Sequence, residues 1–291
     1  MKSDHTGISR REALGALGLL AISGPTVFSA EAASPAAKKK AGIALQLYTL
    51  RGPAKKDLPG TLNKAADMGW KYVQWSGMPS LPADKIRTAL DKAGLKCIAA
   101  HTAVELFEQK FQEQVAFWKT VGATYVGPGG MMRDCTANLK AWLQGARRLD
   151  ALGAKLREVG MRLTFHNHTH EFEKFPGDPR TKHQILMDAT RPENVCAELD
   201  LAWAAAAGVD VAPYLRKLKD RCPTVHAKDI LLKGKKHTLT ALGQGSLNWN
   251  DIFAAGKYSG IQWYIYEQDN GQGPLWDYVR ASYKFLSQQS L

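Results

Sequence analysis

Three residues carry the strongest chemical signal in this chain: Asp200, His226 and Glu267. Each closes or follows a short apolar, β-rich run. The run 195–199 leads into Asp200, the run 224–227 contains His226 and continues into Lys228 and Asp229, and the run 261–266 gives way to Glu267, Gln268 and Asp269. A fourth run, 161–165, opens onto His166, His168, His170 and Glu171, and an earlier one ends in His101. Carboxylates gathered at one place repel one another unless a cation neutralises them. A mixed oxygen and nitrogen donor set suits Mn²⁺, Co²⁺, Zn²⁺ or Mg²⁺, and the absence of thiolates among the donors argues against a structural zinc site. One divalent metal ion is therefore expected.

These residues need a scaffold that brings strand ends together. A local unit recurs: an amphipathic helix ends, a glycine follows, and a β-rich run comes next. It is found at Gly69 before 70–75, Gly94 before 95–100, Gly122 before 125–127, Gly160 before 161–165 and Gly260 before 261–266. Glycine suits the left-handed position just past a helix end. The runs are apolar and β-branched or aromatic, as strands buried on both faces should be. Runs 43–47, 195–199 and 224–227 bring the strands to eight, with helical periodicity over 81–92, 104–120, 139–159 and 211–219. This alternation predicts an α/β fold, a (β/α)8 TIM barrel, forming a single catalytic domain over 42–291. A doubly wound sheet would carry a Gly-rich loop after its first strand, where this chain has Tyr48-Thr49-Leu50-Arg51. In a barrel, functional groups sit at the C-terminal strand ends. There the first strand offers Gln46 and Tyr48, the second Gln74 and the third His101.

The rest of the composition narrows the options. The net charge is +12, but the lysines and arginines are scattered, with no basic stripe interleaved with aromatics, so nucleic acid is not the expected partner. The four cysteines, Cys97, Cys135, Cys196 and Cys222, form no CxxC pair and read as buried free thiols. The N-terminus differs from the body. Residues 9–14 (SRREAL) precede an apolar stretch from 13 to about 28, followed by the A-x-A pattern at 30–32. That is the layout of a cleaved secretory signal, and the arginine pair resembles a twin-arginine signal. The stretch is short of the roughly 20 residues that span a bilayer. Residues 1–32 are thus expected to direct export to the periplasm and be removed, 33–41 to be a linker, and the mature chain not to insert in a membrane. Charges within 1–32 cancel (Lys2, Arg10 and Arg11 against Asp4, Glu12 and Glu31), so the mature chain keeps +12.

Several motifs together resemble the xylose isomerase-like barrel superfamily, which includes sugar phosphate isomerases/epimerases. They are LQLYTLR at 45–51, FHNHTHEF at 165–172, ELD at 198–200 with Trp203, HAKD at 226–229, GQG at 243–245 with Trp249, and EQD at 267–269. The chain looks most like the exported members and the inosose dehydratase-like branch. The resemblance implies a metal held by Glu, Asp, His and Glu from strands five to eight. Asp200, His226 and Glu267 match that set. On the fifth strand His166 stands where many members have the ligand Glu, and Glu171 lies five residues on. Either can supply the fourth ligand. We take Glu171 as the ligand, His166, His168 and Lys228 as catalytic candidates, and Gln46, His101 and Trp203 as substrate-binding candidates.

The resemblance also implies proton abstraction next to a carbonyl, with the metal stabilising the enediolate. Reprotonation then gives an isomerase or epimerase, and loss of a β-substituent gives a lyase or dehydratase. Export argues for an unphosphorylated small-molecule carbohydrate, a sugar or keto-sugar such as a 3-keto-glycoside. Two other classes were weighed. An endonuclease IV-like repair enzyme needs three zinc ions and more rim ligands than this chain offers. A non-catalytic sugar-binding protein would use aromatics such as Trp75, Trp203 and Trp249 for stacking. Nothing in the sequence excludes a homo-oligomer.

Overall fold

The computed structural model of the chain describes residues 40–234, 236–269 and 274–291. The expected signal 1–32 and most of the linker 33–41 lie outside the described residues. The described part belongs to one compact unit, Lys39–Leu291. Among the described residues, no helix is long and apolar enough to cross a membrane.

The barrel strands are β1 (Gly42–Gln46), β2 (Tyr72–Trp75), β3 (Lys96–His101), β4 (Tyr125–Gly127), β5 (Arg162–His166), β6 (Val195–Asp200) and β7 (Thr224–Ala227). A hairpin, β8 (Asp229–Lys233) and β9 (Lys236–Thr240), precedes the last barrel strand, β10 (Trp263–Tyr266). All eight barrel strands run parallel, and β1 pairs with both β2 and β10, so the sheet closes as expected. The described α-helices are α1 (Arg51–Lys56), α2 (Leu58–Asp67), α3 (Ala83–Lys92), α4 (Val104–Val121), α5 (Leu139–Glu158), α6 (Lys182–Asp188), α7 (Leu201–Ala206), α8 (Val211–Leu218), α9 (Trp249–Ser259) and α10 (Leu275–Ser287). They fall within one or two residues of their expected bounds where the periodicity was clear. The hairpin was not anticipated. Its segment is largely polar and basic, and of its described apolar residues Ile230 and Leu239 turn inward, against α7, while Leu231 and Leu232 are exposed.

Side chains alternate along each strand, so every second residue enters the barrel. The lower part of the lumen is apolar: Ala44, Ile98, Ala99, Tyr125 and Ile265 form a cluster of their own, with Tyr72 and Trp263 against it. The Tyr72 and Trp263 rings meet edge to face, their centroids 4.7 Å apart. Two residues further along the strands the lumen turns polar, with Gln46, Gln74, Glu198, Thr224 and His226 all buried. All four cysteines are free and buried, as expected.

The HAKD and GQG motifs meet in one structural knot. The buried Asp229 carboxylate accepts the backbone N–H groups of Ile230 (2.8 Å), Gly243 (2.9 Å) and Gly245 (3.1 Å) and the indole N–H of Trp249 (2.8 Å). A Cβ on Gly245 would stand 2.0 Å from Asp229 Oδ1, so only glycine fits there. Asp229 thus ties the root of the hairpin to the loop entering α9. Asp229→Ala strands these donors in the interior, and each unsatisfied group costs about 1–3 kcal/mol. Even at about 1 kcal/mol for each of the four donors, thermal unfolding of this variant should show a melting temperature lowered by roughly 8–16 °C. A fall of less than about 2 °C would show that the knot carries no stability.

Candidate metal centre and active site

Asp200 ends β6 and also caps α7. Its Oδ1 accepts the backbone N–H of Trp203 (2.9 Å), and its own N–H is held by Asn167 Oδ1 (3.0 Å). One carboxylate oxygen is thereby used by the scaffold, and Oδ2 is aimed into the barrel mouth. There it lies 3.4 Å from His166 Nε2 and 3.8 Å from His226 Nδ1, while His226 Nδ1 is 2.8 Å from Glu267 Oε2. His166, Asp200, His226 and Glu267 are all buried and each offers a donor atom within 4.8 Å of the others.

Three properties of this set bear on its fit to a divalent cation. The first is spacing: four donors around an ion at roughly 2.1 Å stand about 3.4 Å apart when tetrahedral, close to the separations from Asp200 Oδ2. The second is charge: Glu198, Asp200, Glu267 and Asp269 crowd this region against two cations, the Lys228 ammonium and the His226 imidazolium. The third is hydrogen bonding at His166. Its Nδ1 faces the Gly129 carbonyl (3.2 Å) and its Nε2 faces Asp200 Oδ2 (3.4 Å), both acceptors. A neutral imidazole has one N–H and can satisfy only one of them. Burial, reinforced by the neighbouring His226 charge, pushes His166 down to about 4, so it is neutral at physiological pH. With Nδ1–H on Gly129, the bare Nε2 faces another acceptor, and a divalent ion between it and Asp200 Oδ2 would give it a partner. The residues therefore fit a divalent ion.

Glu171, expected in this set, lies apart from it. It accepts the backbone N–H of His168 (2.8 Å) and pairs with His170 Nε2 (2.8 Å), in a separate group with His168 and His170. The short 3-10 turn His170–Phe172 folds the side chain back onto its own loop. The fifth strand's member of the cluster is His166.

Lys228 is fully buried with its ammonium 2.8 Å from Asp200 Oδ2, 2.8 Å from Glu267 Oε2 and 2.7 Å from Asp269 Oδ2. Burial opposes its charge, but the Asp200 and Glu267 charges prevail and hold its pKa above the ordinary lysine range. Lys228 is thus a fixed cation, not a base. Asp200 goes down to about 2 because the Lys228 charge outweighs burial.

A cavity of about 460 Å³ opens above this floor, lined by Tyr48, Arg51, Ser76, His101, Gly129, His166, His168, Glu267 and Asp269. Burial holds His168 below the ordinary imidazole value, leaving it neutral beside the cavity. Among the substrate-binding candidates, His101 lines the cavity, its Nε2 2.6 Å from Glu198 Oε1. Gln46 sits beneath it, donating to Gln74 Oε1 (2.8 Å). Trp203 is outside that wall, its ring 5.0 Å from Lys228 Nζ. Trp75 and Trp249 are buried in the core. Sequence reasoning did not single out Arg51, Ser76, Asp269 or Glu198 as site residues. Glu198 was legible in principle, since it stands two residues before Asp200 on one strand and so faces the same way. Arg51 was not: its guanidinium reaches the rim by bonding the carbonyls of Tyr48 (2.8 Å) and Asp269 (2.9 Å), the latter 218 residues away.

His226 sets the pH dependence. Burial would push its pKa down, but Glu267 and Glu198 hold it up to about 10, so without a cation it is an imidazolium. Binding a cation at Nδ1 displaces that proton. Affinity for Mn²⁺ or Co²⁺ should therefore rise about tenfold per pH unit between about pH 6 and 8, with one proton released per ion, measurable by calorimetry in buffers of different ionisation enthalpy. A pH-independent affinity would contradict the assignment. The raised pKa also means that His226 stabilises the cation-free fold fully below its unfolded value of 6.5 and loses that contribution as pH rises toward about 10.

Comparison with known proteins agrees with this architecture. Residues 62–289 match the family described as "Xylose isomerase-like TIM barrel". An inosose dehydratase from Lacticaseibacillus casei is 26% identical over 170 residues, covering 50% of this chain and 53% of that enzyme. The chain thus spans about half the length of the curated relatives it matches. The crystal structure of a sugar phosphate isomerase/epimerase from Parabacteroides distasonis superposes with a TM-score of 0.72 at 20% identity, covering 88% of this chain and 96% of that one. An L-ribulose 3-epimerase structure gives 0.63 at 15% identity, covering 85% and 93%. With the family match spanning most of its length and a closed eight-stranded parallel barrel beneath a rim of His and carboxylate groups, the chain belongs to the xylose isomerase-like TIM barrel family.

Proposed function

We propose that this chain is a divalent-cation-dependent enzyme that removes a proton next to a carbonyl of an unphosphorylated sugar or keto-sugar. Proton return elsewhere makes the reaction an isomerisation or epimerisation, and loss of a β-substituent makes it a dehydration or glycoside elimination. The observation that carries this reading is the buried His166–Asp200–His226–Glu267 cluster at the floor of a polar cavity. The relatives named inosose dehydratase support the eliminating direction, and the epimerase folds support proton transfer at a sugar carbon.

His166, Asp200, His226 and Glu267 would hold the cation, which supplies Lewis-acid polarisation of the carbonyl and so acidifies the adjacent C–H. The remaining residues act directly. His168, neutral and on the cavity wall, is placed to take the proton. Its ring meets that of His166 edge to face at 4.9 Å, which fixes its approach to the floor. Lys228 keeps a permanent positive charge behind Asp200 and Glu267, so both carboxylates stay ionised beneath the reacting carbon. Arg51, Ser76 and His101 offer hydrogen-bonding groups for sugar hydroxyls around the wall. Protonation of a departing oxygen falls to Asp269, whose pKa is raised by burial and the Glu267 charge to about 6.

The test is incubation of Mn²⁺- or Co²⁺-loaded protein in D₂O with neutral sugars, keto-polyols and 3-keto-glycosides, followed by product NMR. Deuterium should enter the product at the carbon next to the carbonyl. Asp200→Asn and Glu267→Gln should lower the rate by at least about 100-fold, and His168→Ala by roughly 10²–10⁴. Products without solvent deuterium would sink the mechanism. Export through the twin-arginine route is part of the same proposal. Replacing Arg10 and Arg11 by lysine should leave the full-length chain in the cytoplasm, whereas the parent should be recovered beginning near Ala33.

A further inference from the structure

Beneath the cluster lies a carboxylate that is neither in the donor set nor on the cavity wall. Glu198 is completely buried, on β6 two residues before Asp200. Both of its oxygens are used. Oε1 is 2.6 Å from His101 Nε2 and 3.1 Å from His226 Nε2, Oε2 accepts the Thr224 hydroxyl (2.9 Å), and Gln74 donates to both (3.0 and 3.1 Å). Gln74 is itself oriented: its Oε1 accepts from Gln46, which leaves its amide nitrogen for Glu198. The same Gln74 oxygen lies 2.8 Å from His226 Nε2.

His226 Nε2 therefore faces only acceptors, Glu198 Oε1 and Gln74 Oε1, and must carry the proton. Its other nitrogen, Nδ1, points toward Glu267 and Asp200. Carboxylates that hold the far N–H of a ligating histidine fix its tautomer and ring orientation. We propose that Glu198 is the positioning residue of the ion site: it holds His226 with Nε2 protonated, so that Nδ1 is the nitrogen offered to the cation. The same carboxylate anchors His101 in the cavity wall, so one buried group sets both the ion's ligand and the wall above it. Gln74 and Thr224 serve as the donors that keep Glu198 ionised and in place without competing for the cation.

This role rests on the ion site proposed above, and the experiment separates the two. Wild type and Glu198→Gln are titrated with Co²⁺, and binding is read from the visible absorption of the bound ion. Wild type is also loaded with ¹¹³Cd²⁺ and its histidine ring nitrogens are assigned by ¹⁵N NMR. The expected result is cadmium coupling to His226 Nδ1, a protonated His226 Nε2, and a Co²⁺ affinity roughly 10–100-fold weaker in Glu198→Gln. Wild type that takes up no cation overturns the ion site and this role with it. Wild type that binds while Glu198→Gln binds equally well overturns the role of Glu198 alone. Coupling through Nε2 overturns it too, and this measurement on the parent does not depend on whether the variant folds.

Discussion

The organising constraint of this molecule is negative charge in a confined place. Glu198, Asp200 and Glu267 are buried together at and below the floor of the cavity, with Asp269 on its wall beside them. Isolated carboxylates cannot remain ionised in such surroundings without compensation. Lys228 answers part of the charge by touching three of the four. His226 answers more, wedged between Glu267 and Glu198. The charge that remains would favour a bound cation. Most polar positions in the upper lumen can be understood as ways of holding this charge still.

The scaffold contributes by occupying atoms that would otherwise be free to wander. Asp200 spends one oxygen on capping α7, Asn167 grips its backbone, and Gly129 takes the His166 Nδ1 proton. Each bond removes one alternative orientation from the cluster. The hairpin β8–β9 is secured by Asp229 directly after Lys228, so the lysine is carried on backbone pinned at the following residue.

The barrel was readable from its periodicity because its signals are local. Helix, glycine and apolar run occur within a few residues of one another, and the five glycines singled out at helix ends all have positive φ. The placement of Asp200, His226 and Glu267 at or beside the ends of β6, β7 and β10 was readable for the same reason. Placement of Glu171 was not, because a 3-10 turn changes the direction of a side chain within three residues without a distinctive sequence mark. Arg51 illustrates the other limit. Its position depends on a carbonyl at the far end of the chain, and no local pattern encodes a contact of that range. Glu198 lies between the two cases: strand alternation puts it on the inner face, but its partners come from β2, β3 and β7 and emerge only when the sheet closes.

The aromatic and aliphatic filling of the lower lumen has a kinetic meaning. Tyr72, Trp263 and Tyr125 fill the lumen from below, so among the described residues the cavity has a closed floor and opens at a rim that includes Tyr48 and Arg51. Under the proposed reaction, reactant and products would use that opening in turn. In a cleavage reaction the fragment nearer the entrance departs first, and the one resting on the floor is detained behind it. Under the proposed cleavage, turnover would depend on traffic at the opening as well as on bond making, and the detained fragment would compete with the next reactant.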